Sequence, residues 1–367
     1  MIKNCLISRN NVIGSFIRSS TVSVSIKRYC TNSSTTNQDQ TLNSIYSRII
    51  GANNHNKLII KDSGDSLRGR GLFTKLDVQS GQVIYTEKPF VSYQSLEIDN
   101  KTICNHCLKS LDKDKIEKSK QKKDDDFDDL FSKCVKCSTR YCSEQCKSES
   151  DIQYHLASCP STSGFSEILK YTAVEKRRFP ILAAKILARI LLGYHFQKNM
   201  EHWENLQVLS FAKRDPPLEW KDDYNLFQRA LLTKESNKKR FNYDWFVRVM
   251  QILYINTLGI EVGATEPKAA STSSGIGLFY LTSFINHSCD PNCYLAFPTD
   301  HTAHLTALKP LKAGDELLIA YGDPNKDYID RQSHLFDNYG FSCNCSKCQS
   351  DLPKKKKNNN NNNKKAE

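Results

Sequence analysis

The chain has 367 residues, 39% of them hydrophobic and 25% charged, enough for two or three modest domains around a sizeable core. Its mean hydropathy of −0.55 argues against a membrane-embedded protein; the most apolar stretch, from Ile181 to Leu192, is interrupted by Lys185 and Arg189. The net charge of +12 sits at the ends, with +5 in residues 1–38 and +5 in residues 354–367, so a nucleic-acid-binding body is not supported.

Residues 1–38 are rich in Ser, Thr, Asn and Arg and carry no acid, with Leu6, Ile13, Phe16, Ile17 and Val24 scattered among the cations. Two readings stand: a mitochondrial presequence cleaved near Arg28–Cys30, or a disordered polar tail. Cytoplasm, nucleus and mitochondrion therefore all stay open. Order is expected to begin near Lys57, which makes residues 1–56 a tail. Short strands follow at Lys57–Ile60, Gly71–Phe73 and Gln82–Tyr85, separated by glycine turns. Residues 104–159 are Cys-rich and interrupted by the charged run Lys109–Lys133, read as a solvated loop or helix. Residues 165–259 are read as helical. Ile181, Leu182, Lys185, Ile186, Arg189 and Ile190 repeat at a period near 3.6, a pattern suited to core packing rather than to a recognition groove, and two more helices follow Trp203 and Tyr243. Strands return between Gly277 and Ala320. The chain closes with a Cys motif at 339–349 and a basic, Asn-rich tail at 350–367 that can bury nothing. The fold class is α+β.

Fourteen cysteines are many for this length, and no continuous apolar segment follows Met1 as a secretory signal requires. Thiols in a reducing compartment point to zinc rather than disulfides. The central run, C-x2-C, then C-x2-C-x4-C-x3-C-x8-H-x3-C, offers Cys104, Cys107, Cys134, Cys137, Cys142, Cys146, His155 and Cys159. Eight ligands fill two tetrahedral ions with no open position, so these sites are structural. The economical pairing is interleaved: Cys104, Cys107, Cys142 and Cys146 on one ion, Cys134, Cys137, His155 and Cys159 on the other. Cys142/Cys146 and His155/Cys159 have the i, i+4 spacing of one helix face, and Ser143 is placed to cap the first helix. Cys343, Cys345 and Cys348 form C-x-C-x2-C, one ligand short of a third site.

The segment R-Y-C-S-x-x-C at Arg140–Cys146 resembles a MYND zinc finger, with an unusually long 26-residue interval between Cys107 and Cys134. Four flanking motifs complete the pattern: L-R-G-R-G-L-F at 67–73, S-F-I-N-H-S-C-D-P-N at 283–292, E-L-L-I-A-Y-G-D at 316–323 and Y-G-F-S-C-N-C-S-K-C at 339–348. In this order they resemble the SET domain of protein lysine methyltransferases, split by a MYND insertion as in the SET-MYND family. The resemblance covers roughly residues 58–349. It implies a split SET domain at 57–349, a finger at 104–159, a helical insert at 165–259 and a post-SET zinc motif at 339–349.

It also implies an activity: S-adenosylmethionine (SAM)-dependent transfer of a methyl group to a lysine of a histone or non-histone protein. Tyr321 and Tyr339 would be catalytic. Arg68, Gly69, Arg70, Asn256, Ser283, Asn286, His287, Tyr321 and Phe341 would hold the cofactor. Cys289 would complete the third zinc site, with Cys293 as its competitor, so three zinc ions are expected. The partners implied are a lysine-bearing protein and a proline-containing peptide at the finger; no membrane is expected, and the chain is read as a monomer. Many family members continue into a C-terminal helical lobe, whereas here a tail follows Cys348, so a more open cleft is expected. The chemistry fits the residues. The acceptor amine, with a pKa of roughly 10.4 when free, must lose its proton; an apolar aromatic channel beside a cationic sulfonium favours the neutral form without a dedicated base. Two other readings compete: a catalytically inactive SET-MYND adaptor, and a RING-like ligase that leaves the four flanking motifs unexplained.

Overall fold

The computed structural model describes residues 23–24, 35–66, 68–98, 102–111, 131–263 and 274–352. Leu58 and Ile60 are buried while Ile59 and Lys61 face out, the period-two pattern of the strand Leu58–Asp62 (β1). It pairs antiparallel with Arg70–Thr74 (β2), Leu58 opposite Thr74 and Asp62 opposite Arg70. The later strands are Val83–Glu87 (β3), Val91–Gln94 (β4), Thr257–Ile260 (β5), Gly275–Leu278 (β6), Asn286–His287 (β7), Cys293–Ala296 (β8), Ala303–Ala307 (β9) and Leu318–Ile319 (β10). They form several small sheets. One is β4–β6–β5 and another β8–β9–β3, both antiparallel, whereas β7 and β10 run parallel with Asn286 opposite Leu318. Leu58, Leu72, Ile276, Leu278, Phe279, Leu305 and Leu317 are fully buried where these sheets meet.

Order begins earlier than the sequence suggested. Thr35–Ile50 is a helix (α1), and its stripe of Leu42, Ile45, Tyr46, Ile49 and Ile50 packs on the core. Arg48 anchors it, 2.7 Å from Glu204 Oε2 and donating to Asn205 Oδ1 at 3.1 Å. The tail reading for residues 35–56 is thus corrected: one sparse apolar stripe among polar residues suffices once a partner surface exists. The presequence reading falls almost wholly outside the described residues; of residues 1–34, only Ser23–Val24 is described, as a short strand against Ala212–Lys213. Most of the charged run between Lys109 and Lys133, and the tail beyond residue 352, also lie outside them.

After the finger helix Glu144–Ser150 (α2), the insert consists of Phe165–Glu175 (α3), Phe179–Gln197 (α4), Glu201–Gln207 (α5), Glu219–Leu231 (α6), Glu235–Arg240 (α7) and Tyr243–Asn256 (α8). Helix α6 falls within the stretch read as helical, without being singled out there; Trp220, Tyr224 and Phe227 form its buried stripe. The insert reading also ran through Gly259, whereas helix gives way to β5 at Thr257. By length and composition α4 is apolar enough to cross a membrane, yet 56% of that window is buried inside the protein. Lys185 does not break its apolar face. Only 2% exposed, it donates from Nζ to Ser92 O at 2.8 Å and stands over the Tyr154 ring at 4.1 Å, while burial pulls its pKa to about 7.

Candidate active site and zinc clusters

Three groups of ligand atoms gather: Cys104, Cys107, Cys142 and Cys146; Cys134, Cys137, His155 and Cys159; and Cys289, Cys343, Cys345 and Cys348. Within each group all ligand atoms lie within 4.8 Å of one another. Sulfur–sulfur separations of 3.4 Å for Cys142–Cys146 and Cys289–Cys348 and 3.6 Å for Cys107–Cys142 fall close to the edge of a zinc tetrahedron. With Zn–S bonds of about 2.3 Å, that edge is about 3.8 Å. The donor sets therefore fit zinc, in the interleaved arrangement. Local structure follows the spacing: Ser143 Oγ accepts from Cys146 N at 3.2 Å and caps α2, and His155 lies in a π turn that continues it. Cys142 and Cys159 stand just outside the helical turns rather than within them. Cys293 is on β8, buried and outside the third cluster.

The third cluster ties distant segments together. His287 Nδ1 accepts from Tyr321 N at 3.0 Å, so in the neutral ring Nε2 carries the proton, and Nε2 lies 3.3 Å from Cys289 Sγ. On the other side Gln332 Nε2 approaches Cys348 Sγ at 3.3 Å, and its amide also bonds Cys343 N and O. Arg331, 4% exposed, places Nη2 3.8 Å from Cys348 Sγ and 2.8 Å from Asp351 Oδ2. Donors aimed at thiolate sulfurs orient metal ligands. Neither Arg331 nor Gln332 lies in a recognised motif; both sit on Tyr328–Tyr339 (α9) and meet the cysteines only in three dimensions.

The aromatic residues converge beside this cluster. The rings of Tyr321 and Tyr339 are 4.9 Å apart, and Phe341 lies 6.4 Å from the first and 6.3 Å from the second. His287 is 5.3 Å from Tyr321 and 6.0 Å from Phe341. Tyr321 Oη donates to Ile285 O at 2.7 Å. Burial raises the pKa of both tyrosines, which stay protonated phenols. Tyr254 and Ile255 of α8 pack against the same cluster, a contribution the motifs do not announce.

Glu316 organises the cofactor-loop residues. Arg68 Nη1 donates to its Oε2 at 3.1 Å and Asn286 Nδ2 to its Oε1 at 2.8 Å. Asn292 bonds Glu316 O and Leu318 N, fixing the chain that crosses here. Gly69 has φ 65°, the left-handed region that glycine adopts readily. A Cβ on Gly71 would collide with the Glu316 carboxylate and the Asn286 amide.

Other expected cofactor residues place their side chains elsewhere. Arg70 bonds Tyr46 Oη at 2.6 Å and Val208 O at 2.7 Å, with its guanidinium over the Phe284 ring. Asn256 Nδ2 bonds Ser210 O and Ile252 O, and Ser283 Oγ turns back to Phe279 O. These three side chains brace backbone rather than converge with Arg68, Asn286 and Glu316.

Small sheets threaded by the parallel β7/β10 pair, with a tyrosine pair beside a cysteine clasp, are the features of a SET-domain protein. A family model for the SET domain matches residues 69–322. A SET and MYND domain-containing protein of Dictyostelium discoideum is 47% identical over 348 residues, covering 89% of this chain and 97% of that one. The protein-lysine N-trimethyltransferase SMYD5 of Mus musculus is 27% identical over 359 residues, covering 78% of this chain and 85% of the relative. The histone-lysine N-methyltransferase ATXR4 of Arabidopsis thaliana is 26% identical over 298 residues, covering 77% and 83%. The chain belongs to the SET-domain family, in the group that also carries a MYND finger.

Proposed function

We propose that this protein is a SAM-dependent protein-lysine N-methyltransferase acting on a histone or non-histone protein. The observation that carries the reading is the pair Tyr321–Tyr339, the first partly buried and the second buried, both protonated and 4.9 Å apart beside the clasp. Two phenols at this separation form the wall of a narrow apolar path in which an amine sheds its proton and is oriented. When bound, SAM supplies the electrophilic methyl group. Asn286, His287 and the backbone at Gly69 are the residues we assign to hold it, with Phe341 against the adenine and Arg68 set by Glu316. The further assignments of Arg70, Asn256 and Ser283 act at one remove, through the segments they brace. Tyr321 orients the acceptor nitrogen, Tyr339 closes the path against water, and His287 keeps Tyr321 in register with Cys289.

Isothermal titration of the zinc-loaded protein with SAM tests this reading. One-site binding, followed by methyl transfer to a lysine-bearing protein, is expected. Absence of binding would leave the adaptor reading, in which the finger grips a proline-containing peptide and the SET fold is inert.

A further inference from the structure

The short helical turn Thr282–Phe284 leads directly into the site, and it has no side-chain cap of its own at Leu281. Its first amides are taken up from another strand instead. Glu87, the last residue of β3, accepts from Leu281 N at 2.8 Å through Oε1 and from Thr282 N at 2.9 Å through Oε2. The Thr282 hydroxyl donates to the same Oε2 at 2.7 Å and lies 2.9 Å from Tyr85 Oη. Tyr85, Leu281 and Thr282 are all buried. The first amides of a helical turn lack partners within it, and a carboxylate that takes two of them, in charge-assisted bonds, fixes where the turn begins.

The turn's own bonds carry that position forward. Phe284 N donates to Leu281 O and Ile285 N to Thr282 O, both at 3.1 Å. Ile285 O then accepts from Tyr321 Oη at 2.7 Å. Glu87 is thus joined to the Tyr321 phenol through a single turn of backbone. The residue after Ile285 is held separately: Asn286 Nδ2 donates to Glu316 Oε1 at 2.8 Å and to Arg70 O at 3.2 Å. A disturbance of the turn therefore reaches the anchor of Tyr321, while Asn286 keeps partners of its own. Glu87 stands in none of the four motifs that flank the finger.

We propose that Glu87 is a positioning residue for methyl transfer: from outside the site it clamps the turn whose end, Ile285 O, holds the Tyr321 hydroxyl. Its consequence for turnover rests on the methyltransferase reading; its hold on Tyr321 does not.

The test compares the native full chain with Glu87→Gln and Thr282→Val. Glutamine keeps the size of the side chain but has one acceptor oxygen, and its NH2 group faces the amides it should accept from. Valine at 282 removes only the hydroxyl bond, and it carries the comparison should Glu87→Gln fail to fold. Each protein is studied where circular dichroism shows it folded. Four quantities are measured: amide hydrogen exchange at Leu281 and Thr282, the 13Cζ NMR signal of Tyr321 (identified by its loss in Tyr321→Phe), the Kd for SAM, and kcat for methyl transfer to a lysine-bearing protein. In Glu87→Gln the two amides are expected to exchange faster and the Tyr321 signal to move. Its kcat is expected to fall by roughly 10–100-fold, as slight misplacement of a site group does, with the Kd for SAM nearly native. Thr282→Val is expected to shift all of these in the same direction and by less. An unmoved Tyr321 signal with undiminished kcat would overturn the proposal. So would a parallel loss of kcat and SAM affinity, which is the mark of a structural role alone. A moved signal with no methyl transfer by any of the proteins would sustain the hold on Tyr321 and refute the activity assigned above.

Discussion

His287 joins Tyr321 to Cys289: its Nδ1 accepts the Tyr321 amide at 3.0 Å while its Nε2 meets the Cys289 sulfur at 3.3 Å. A metal clasp and a site tyrosine are thus one ring apart, and loss of the first displaces the second. Cys289→Ser is expected to lower bound zinc from three equivalents to two, because only the third of the three ligand clusters loses a member. Methyl transfer is expected to fall below detection while the finger sites stay loaded. Metal analysis beside an activity assay checks this; full activity with two zinc ions would separate clasp from site.

Gln332 carries a subtler prediction. Its amide contacts Cys348 Sγ and both the N and O of Cys343. Gln332→Leu keeps every zinc ligand and removes these bonds, so affinity at the clasp should drop by about 10–100-fold. Competition with a chromophoric chelator should show one zinc leaving early and two unchanged.

The Gly71 position is closed by Glu316 and Asn286. Gly71→Ala is expected to cost about 1–3 kcal/mol by overpacking. In a Glu316→Ala background the same change should cost less, since the blocking carboxylate is gone. Denaturant unfolding of the four proteins in the cycle measures the coupling; strict additivity would contradict the contact.

Three histidines, His106 and His301 buried and His202 half-buried, set an acid limit. Burial lowers His106 and His202 to about 4 and His301 to about 3. A histidine depressed in the folded state binds fewer protons there than in the unfolded chain, whose imidazoles titrate near a pKa of about 6.5. The stability these groups contribute is complete above that value and is lost as pH falls through it towards about 4. Denaturation midpoints between pH 7.5 and 4.5 should fall, and His202→Asn, which lies away from the zinc ligands, should flatten the slope. An unchanged slope in that variant would rule out its share.

Much of this architecture was legible in the chain. The zinc pairing was, because C-x2-C knuckles and i, i+4 ligands restrict which thiols can share an ion. The place of Tyr321, Tyr339 and Phe341 was legible through their motifs. Helix α1 was not, since its apolar stripe is meaningful only against a core built by residues far downstream. Arg70 and Asn256 were read as cofactor contacts because the motif records a residue type; their partners, Val208 and Ser210, lie in a segment with no pattern of its own. The same holds for Arg331 and Gln332, whose role appears only when α9 is laid against Cys343 and Cys348.

The Tyr321 hydroxyl is held by Ile285 O at 2.7 Å, beside Tyr339. The most direct measurement is transfer of tritiated methyl from SAM to lysate protein, with hydrolysis to identify the labelled amino acid, for the native protein and Tyr321→Phe. The account predicts labelled N-methyllysine from the native protein, a loss of roughly 100-fold or more in the variant, and nearly equal SAM binding by both. Label on another amino acid, or undiminished transfer by Tyr321→Phe, would contradict it.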